Sequence, residues 1–481
     1  MGLLAEIGTF GDVAAEDDDA VLSYFLKTDD VDEIENGSSF AVIGRKGSGK
    51  TAITKYFSQP QPNYVTASPT LRDYPWAEHA KRRNLGASDI EAYVSSWRYL
   101  IAVKANSIIL EKRGMKQMTD AQRTAREFLN ANYGGIVPSL AEIMRPARLK
   151  VTRRTFSPSV MGTSVGSIDI EDEKGGIAQE IDVVTQSLMK NAAELADQAG
   201  MEKICIHFDE LDQGMSELTD DRRYMLIGLI LAIRSIRGSK EGEKVFPVFY
   251  IRTDLWDEIR FSDKNKISQS SAVFLEWDPD SLLEMVNERI RAKLGAEKSW
   301  NSIDDGAVMR GSQPKWNHIV TRTFLRPRDV IQFLNYALKI ALKRDHDADV
   351  FTNEDIQNAR NAYSKYLSQE LDDEIGPHWP CWREAVQACS AVATETLSRE
   401  QFETAYEGRK TKANDLDTAQ ALAKLYDFSI IGYLKSVGLG GSKWIFHYSH
   451  PDAGWDSAAS RLKVHQGLKE FAQLREARAG S

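Results

Sequence analysis

Apolar positions recur along this chain in two rhythms. Short continuous apolar runs at Ser39–Ile43, Asn63–Ala67, Lys203–Phe208, Val245–Ile251 and Ala272–Trp277 predict buried strands. Between them, helical spacing over 50–58, Ile90 to Leu110, 177–199 and 219–237 predicts helices at the separation of βαβ units. This alternation predicts an α/β fold with a parallel sheet. Pro247 lacks an N–H for a ladder, so it is placed at the first turn of its strand. Ala20–Leu26 reads as a short amphipathic helix. Residues 77–150 are mostly helical in pattern, and 151–175 read as loop or β-hairpin. Beyond 279 the helical pattern runs to about 368 and no parallel-sheet signal returns. Short helices around 383–393 and 415–426 then precede apolar runs at Phe428–Leu434 and Trp444–Tyr448, joined by a glycine turn at 438–441. No internal repeat is present.

With 481 residues, two to four domains are expected at roughly 100–200 residues each. Charged residues interrupt every apolar stretch well short of the ~18 residues that span a bilayer, so no membrane role is expected. The N-terminus lacks a basic region followed by an apolar core, and a cytoplasmic protein is expected. The three cysteines, Cys205, Cys381 and Cys389, have no metal-ligand spacing, which argues against a disulfide scaffold or a structural zinc.

The net charge of −9 is unevenly spread. Residues 1–39 hold eleven acids against Lys27 alone, a balance of −10, so the rest of the chain sums to +1. Glu16–Asp19 reads as a solvated helix start. A near-neutral remainder provides no global electrostatic footprint for nucleic acid.

Gly44-Arg45-Lys46-Gly47-Ser48-Gly49-Lys50-Thr51 fits G-x-x-x-x-G-K-[ST] and lies between an expected strand and an expected helix. Gly44, Gly47 and Gly49 let the backbone close around phosphate oxygens and present its N–H groups, with Arg45, Lys46 and Ser48 lining the same loop. Lys50 then reaches the β- and γ-phosphates and Thr51 sits on Mg²⁺, which makes a nucleoside triphosphate and Mg²⁺ the expected ligands. Asp209 at the end of the Lys203–Phe208 run is the acidic partner for the metal, Glu210 a candidate base for an attacking water, and Asp212 a weaker third acid. Standing alone, that acidic pair reads equally as a solvated turn. Arg252 and Thr253 follow the Val245–Ile251 run, where a strand end flanks the nucleotide crevice, and are candidates to sense the γ-phosphate, the alternative being a structural salt bridge. Arg326 and Arg328 open a helix at Pro327 and are candidates to swing onto the phosphates, the alternative being a capping ion pair with Asp329.

Phe10-Gly11, Ala14-Ala15-Glu16, Gly44–Thr51, Phe208–Asp212, Arg252–Asp254 and Leu325–Asp329 together resemble AAA+-like P-loop ATPases of the origin-recognition and STAND type, in a bacterial form. The resemblance implies a P-loop NTPase core over 1–278 with a helical insertion at about 77–200, a helical lid over 279–375 and a winged-helix-like domain over 376–481. It also implies ATP as the nucleotide, roles in anti-phage defence and homo-oligomers with shared nucleotide sites. Two departures stand out: the stretch between Thr51 and Asp209 is longer than a minimal core requires, and no arginine finger is evident. Arg260, Lys264 and Lys266 read better as a solvated basic loop. Residues 401–481 hold eleven Lys/Arg and nine Asp/Glu, so a protein effector is as good a partner for this end as DNA. Lys435, Lys443, Arg461 and Lys463 are its candidate DNA contacts. Three activities stay open: ATP hydrolysis driving a switch, a nucleotide-gated DNA- or protein-binding scaffold, and a small-substrate kinase.

Overall fold

The apolar runs pair as a parallel sheet. The computed structural model describes residues 1–69, 89–112, 118–144, 148–150, 167–169, 176–211, 219–437 and 441–475. In chain order the first seven strands are β1 (Ala41–Gly44), β2 (Tyr64–Ala67), β3 (Arg148–Lys150), β4 (Ser167–Asp169), β5 (Lys203–Phe208), β6 (Val245–Arg252) and β7 (Ala272–Phe274). Five of them form one sheet in the order β2-β5-β6-β1-β7, with every pair parallel. β3 and β4 form a separate antiparallel pair. Parallel strands need crossover connections, and helices supply them. The helix at Lys50–Phe57 follows β1, and Asp220–Arg237 joins β5 to β6.

The long segment between β2 and β5 contributes helices at Asp89–Lys112, Asp120–Tyr133 and Gly176–Gln198. Asp89–Lys112 is buried nearly all round from Trp97 to Leu110, because it packs on both Gly176–Gln198 and Asp220–Arg237. These helices share one hydrophobic core with the sheet, so the inserted segment is part of the layer that covers it. Asp212 and most of the expected loop at 151–175 lie outside the described residues.

Pro247 is the third residue of the central strand β6, where the sequence places it at the first turn. Successive residues of a strand aim their N–H groups at opposite neighbours. Phe249 N–H donates to the Phe40 carbonyl on the β1 side, while Ile204 N–H donates to the Lys244 carbonyl on the β5 side. The nitrogen of Pro247 therefore faces the β1 side before that ladder begins, and no bond is lost.

The chain divides into two units. The sheet unit comprises Lys27–Arg45 and Lys50–Leu275; the other comprises Met1–Leu26, Lys46–Gly49 and Glu276–Ser481. The first 26 residues, assigned from sequence to the ATPase core, thus fold in the second unit, because Leu4, Ile7 and Phe10 are buried in its hydrophobic core. Val21–Tyr24 is a 3-10 turn and not the expected helix. Asp18 is not solvated either: Tyr24 Oη donates to it at 2.6 Å and Arg289 lies 3.5 Å away.

In that second unit the long helices are Pro279–Leu294, Pro327–Arg344 and Asn353–Ile375. Its remaining part brings helices Trp382–Val392, Arg399–Glu407 and Thr418–Asp427, with β8 (Thr396–Ser398), β9 (Ile431–Val437), β10 (Gly441–Ile445) and β11 (Arg461–Val464). These strands form an antiparallel sheet ordered β10-β9-β11-β8. One core runs from Leu4 to Leu474, so the regions read from sequence as lid and C-terminal domain share a single interior. Among the described residues no helix is long and apolar enough to cross a membrane.

Candidate functional site

The motif at 44–51 takes up a strand-loop-helix path. Gly44 ends β1 and Lys50 opens the helix Lys50–Phe57. Left-handed backbone is needed at Gly47 (φ 81°) and Gly49 (φ 106°) but not at Gly44, which the sequence grouped with them. Gly47 has a second constraint, since a Cβ there would lie 2.8 Å from Arg328 Cβ. Lys50 Nζ donates to the Gly44 carbonyl at 2.8 Å and the Arg45 carbonyl at 3.0 Å, so the ammonium lies over the loop. The Ser48 carbonyl accepts from the Trp277 indole at 2.9 Å. Ser48 Oγ is buried and has no hydrogen-bond partner among the described residues. Glycine-shaped backbone, an overlying ammonium and an unpaired buried hydroxyl fit a phosphate chain.

Asp209 follows β5, and both its oxygens are engaged. Oδ2 accepts from Thr54 Oγ1 at 3.3 Å, on the helix that carries Lys50 and Thr51, and Oδ1 accepts from the Glu210 N–H at 2.8 Å. Glu210 has φ 58°, a conformation L side chains seldom adopt. Such outliers concentrate at functional positions. Beneath Asp209, burial, and after it the nearby Asp209 charge, hold the Tyr250 phenol protonated. Tyr250 Oη lies 2.9 Å from His207 Nδ1, and the imidazole stacks on Phe57. Nothing local marks Thr54, His207 or Tyr250 as polar machinery, because His207 and Tyr250 lie within apolar runs and Thr54 lies within a helix of mixed polarity.

His207 has a measurable consequence. Burial pushes its imidazole down to about 3, while an unfolded chain binds a proton there near 6.5. Stability is therefore fully present above about 6.5 and falls by up to about 1.4 kcal/mol per pH unit as pH drops toward 3. In His207→Phe this part of the acid slope is expected to vanish, as urea titrations at pH 7 and pH 5 would show. An identical pH difference in wild type and variant would place the titration on another group.

Arg252 pairs in register with Gly44, so the end of β6 lies beside the start of the loop. Its guanidinium forms two bonds to Asp254, at 2.9 and 2.7 Å, which offset its charge, and Thr253 opens the helix Thr253–Glu258. Lys264 is not part of a solvated basic loop: its ammonium donates to the carbonyls of Trp256 and Ile259, closing the end of that helix.

In the other unit, Arg328 backs onto Gly47, with its N–H 3.4 Å from the Gly47 carbonyl and NH1 donating to Glu370 at 3.1 Å. Lys46 also reaches Glu370, at 3.4 Å, and Asp373 at 3.0 Å. Arg326, expected as a phosphate ligand, is instead fully buried. Its Nε and NH2 donate to Asp329 and its NH1 to Glu374, so its donor groups are committed. Burial opposes that charge, but the two carboxylates hold the guanidinium firmly protonated. The basic residues of the C-terminal sheet also part company. Lys435 and Lys443 face each other across β9 and β10, whereas strand alternation puts Arg461 and Lys463 on the opposite face, with Lys463 3.5 Å from Glu395.

A parallel sheet with such a loop between its first strand and the following helix is a P-loop α/β fold. The family described as "FunZ-associated C-terminal helical domain" matches residues 280–372, a stretch that contains Arg326, Arg328 and Glu370. No curated protein matches the chain. Among solved structures it is similar to a Walker-type ATPase of Pyrococcus abyssi, at 12% identity over 91% of this chain and 96% of that one, with a TM-score of 0.37. It is also similar to Cdc6p from Pyrobaculum aerophilum, at 12% identity over 92% of this chain and 89% of that one, with a TM-score of 0.30.

Proposed function

We propose that this protein is a Mg²⁺-dependent ATPase of AAA+-like type whose nucleotide cycle drives a conformational switch. One observation carries the proposal: the loop with left-handed Gly47 and Gly49 opens the same helix whose Thr54 is bonded to Asp209. Phosphate-binding backbone and a metal-side carboxylate are thereby tied to one element. Bound Mg²⁺ would supply positive charge to the phosphates. Thr51 and Asp209 would hold it, in keeping with a cation that takes one or two carboxylates plus substrate phosphates. Lys50 moves from the loop carbonyls to the phosphates. Glu210 accepts a proton as the water oxygen bonds to the γ-phosphorus and the bond to ADP breaks. Thr253 and Arg252, next to Gly44, and Arg328, against Gly47, respond to the γ-phosphate. The biological setting we assign, bacterial anti-phage defence with assembly into a homo-oligomer, rests on the motif resemblance alone.

A second reading, a nucleotide-gated scaffold that binds DNA with little intrinsic hydrolysis, draws support from Lys435 and Lys443. Both are exposed and directly opposed, a like-charge pair that destabilises a hairpin and is relieved by an anionic partner.

One experiment separates the two. ATP binding and turnover are measured for wild type and Lys50→Ala, with and without double-stranded DNA, while light scattering records mass. The substitution removes charged hydrogen bonds to phosphate and is expected to weaken ATP binding roughly 10- to 150-fold. Turnover by wild type alone supports the ATPase. Binding with turnover only after DNA is added supports the scaffold, and a wild type that binds no ATP defeats both.

A further inference from the structure

Two cations flank Gly47, and one carboxylate oxygen holds both. Glu370 Oε2 lies 3.4 Å from Lys46 Nζ and 3.1 Å from Arg328 NH1. All three side chains are largely shielded from water, with 23% of Lys46, 19% of Arg328 and 17% of Glu370 exposed. They belong to a single unit of the fold. Asp373, the other acid near Lys46, is 69% exposed and bonds Lys46 only.

The backbone that presents Arg328 is fixed. Leu325 is held at φ 51°, Pro327 occupies the first turn of Pro327–Arg344, and Arg326 is locked between Asp329 and Glu374. What remains adjustable is the Arg328 guanidinium. Its Nε donates to the Val13 carbonyl at 3.2 Å and its NH1 to Glu370, while NH2 has no hydrogen-bond partner among the described residues. The acid that both cations share thus comes from the helix Asn353–Ile375, more than 300 residues from the motif.

We propose that Glu370 is a positioning residue of the phosphate site: it holds Lys46 and Arg328 at the rim of the loop and competes with phosphate oxygens for both. This rests on the nucleotide reading above. A bound triphosphate brings anionic oxygens to a loop whose two flanking cations already share a carboxylate. Those oxygens must divide the cations with Glu370 and also meet its negative charge. Removing that charge while keeping the side-chain shape releases both effects, so ATP affinity rises. A merely structural role has the opposite sign, because partly buried cations left without their acid loosen the site.

The test is a titration of a fluorescent ATP analogue with Mg²⁺ into wild type, Glu370→Gln and Asp373→Asn, with thermal melting to confirm folding. Glu370→Gln is expected to bind about 3- to 10-fold more tightly, the scale of one or two such ion pairs. Asp373→Asn, which removes an exposed acid that bonds Lys46 only, is expected to stay within about twofold of wild type. Unchanged or weaker binding by a folded Glu370→Gln overturns the proposal. If that variant does not fold, Glu370→Ala takes its place with the same expectation, and failure of both to fold overturns the proposal by making Glu370 structural. A wild type that binds no analogue removes the nucleotide reading and the proposal together. Lys50-dependent binding without tightening in Glu370→Gln removes the proposal alone.

Discussion

Glu210→Gln is expected to bind ATP as wild type does and to hydrolyse it on the order of 10²–10⁴-fold more slowly, the usual contribution of a positioned general base. Glutamine keeps the size of the side chain but does not take a proton from water. The hydrogen bond to Asp209 comes from the residue 210 backbone N–H, so it survives the substitution. The left-handed backbone at position 210 is equally costly for Glu and Gln, so the fold is left as it was. Radiolabelled ATP turnover together with equilibrium binding reads the split. Unslowed hydrolysis would remove Glu210 from the base role, and lost binding would make it part of the nucleotide cradle instead.

Arg326→Ala is expected to destabilise its unit by about 3–5 kcal/mol, because it leaves two buried carboxylates without their cation. Asp329 is fully buried and Glu374 nearly so, and the Asp329 carboxylate also accepts the Phe324 N–H, so the loss reaches the turn that precedes the helix. Arg328→Ala, two residues on, is expected to cost far less in stability, since its partner Glu370 keeps Lys46. The midpoints of urea unfolding compare the two. Equal midpoints would mean that the buried triad does not hold this turn. Alanine at 326 removes a buried triad and alanine at 328 a contact with Gly47 and Glu370, a distinction that two arginines flanking one proline conceal in sequence.

The sheet strands were legible because parallel strands buried on both faces are written as unbroken apolar runs, and β1, β2, β5 and β6 lie where those runs fall. β7 is shorter than its run, ending at Phe274 where the run continues to Trp277. Trp277 instead turns its indole to the Ser48 carbonyl, a use that local pattern does not encode. Asp18 departs from its local pattern for a related reason. An acid in an acidic run reads as solvated, and only Tyr24 and Arg289 packing around it make it a buried anchor.

What the amino-acid sequence determines by itself is whatever depends on neighbours along the chain. The loop at 44–51 needs glycine at 47 and 49 for positive φ, a strand before it and a helix after it, and all of these are local. Which cation serves the site and which serves the core is decided by tertiary structure alone. Arg326 and Arg328 have the same chemistry and almost the same address, yet one meets Asp329 and Glu374 in the interior and the other meets Gly47 and Glu370. The physical reason is that a charge takes its role from its dielectric surroundings and its partners. For these two residues the acids Glu374 and Glu370 arrive from a helix more than forty positions away in the chain.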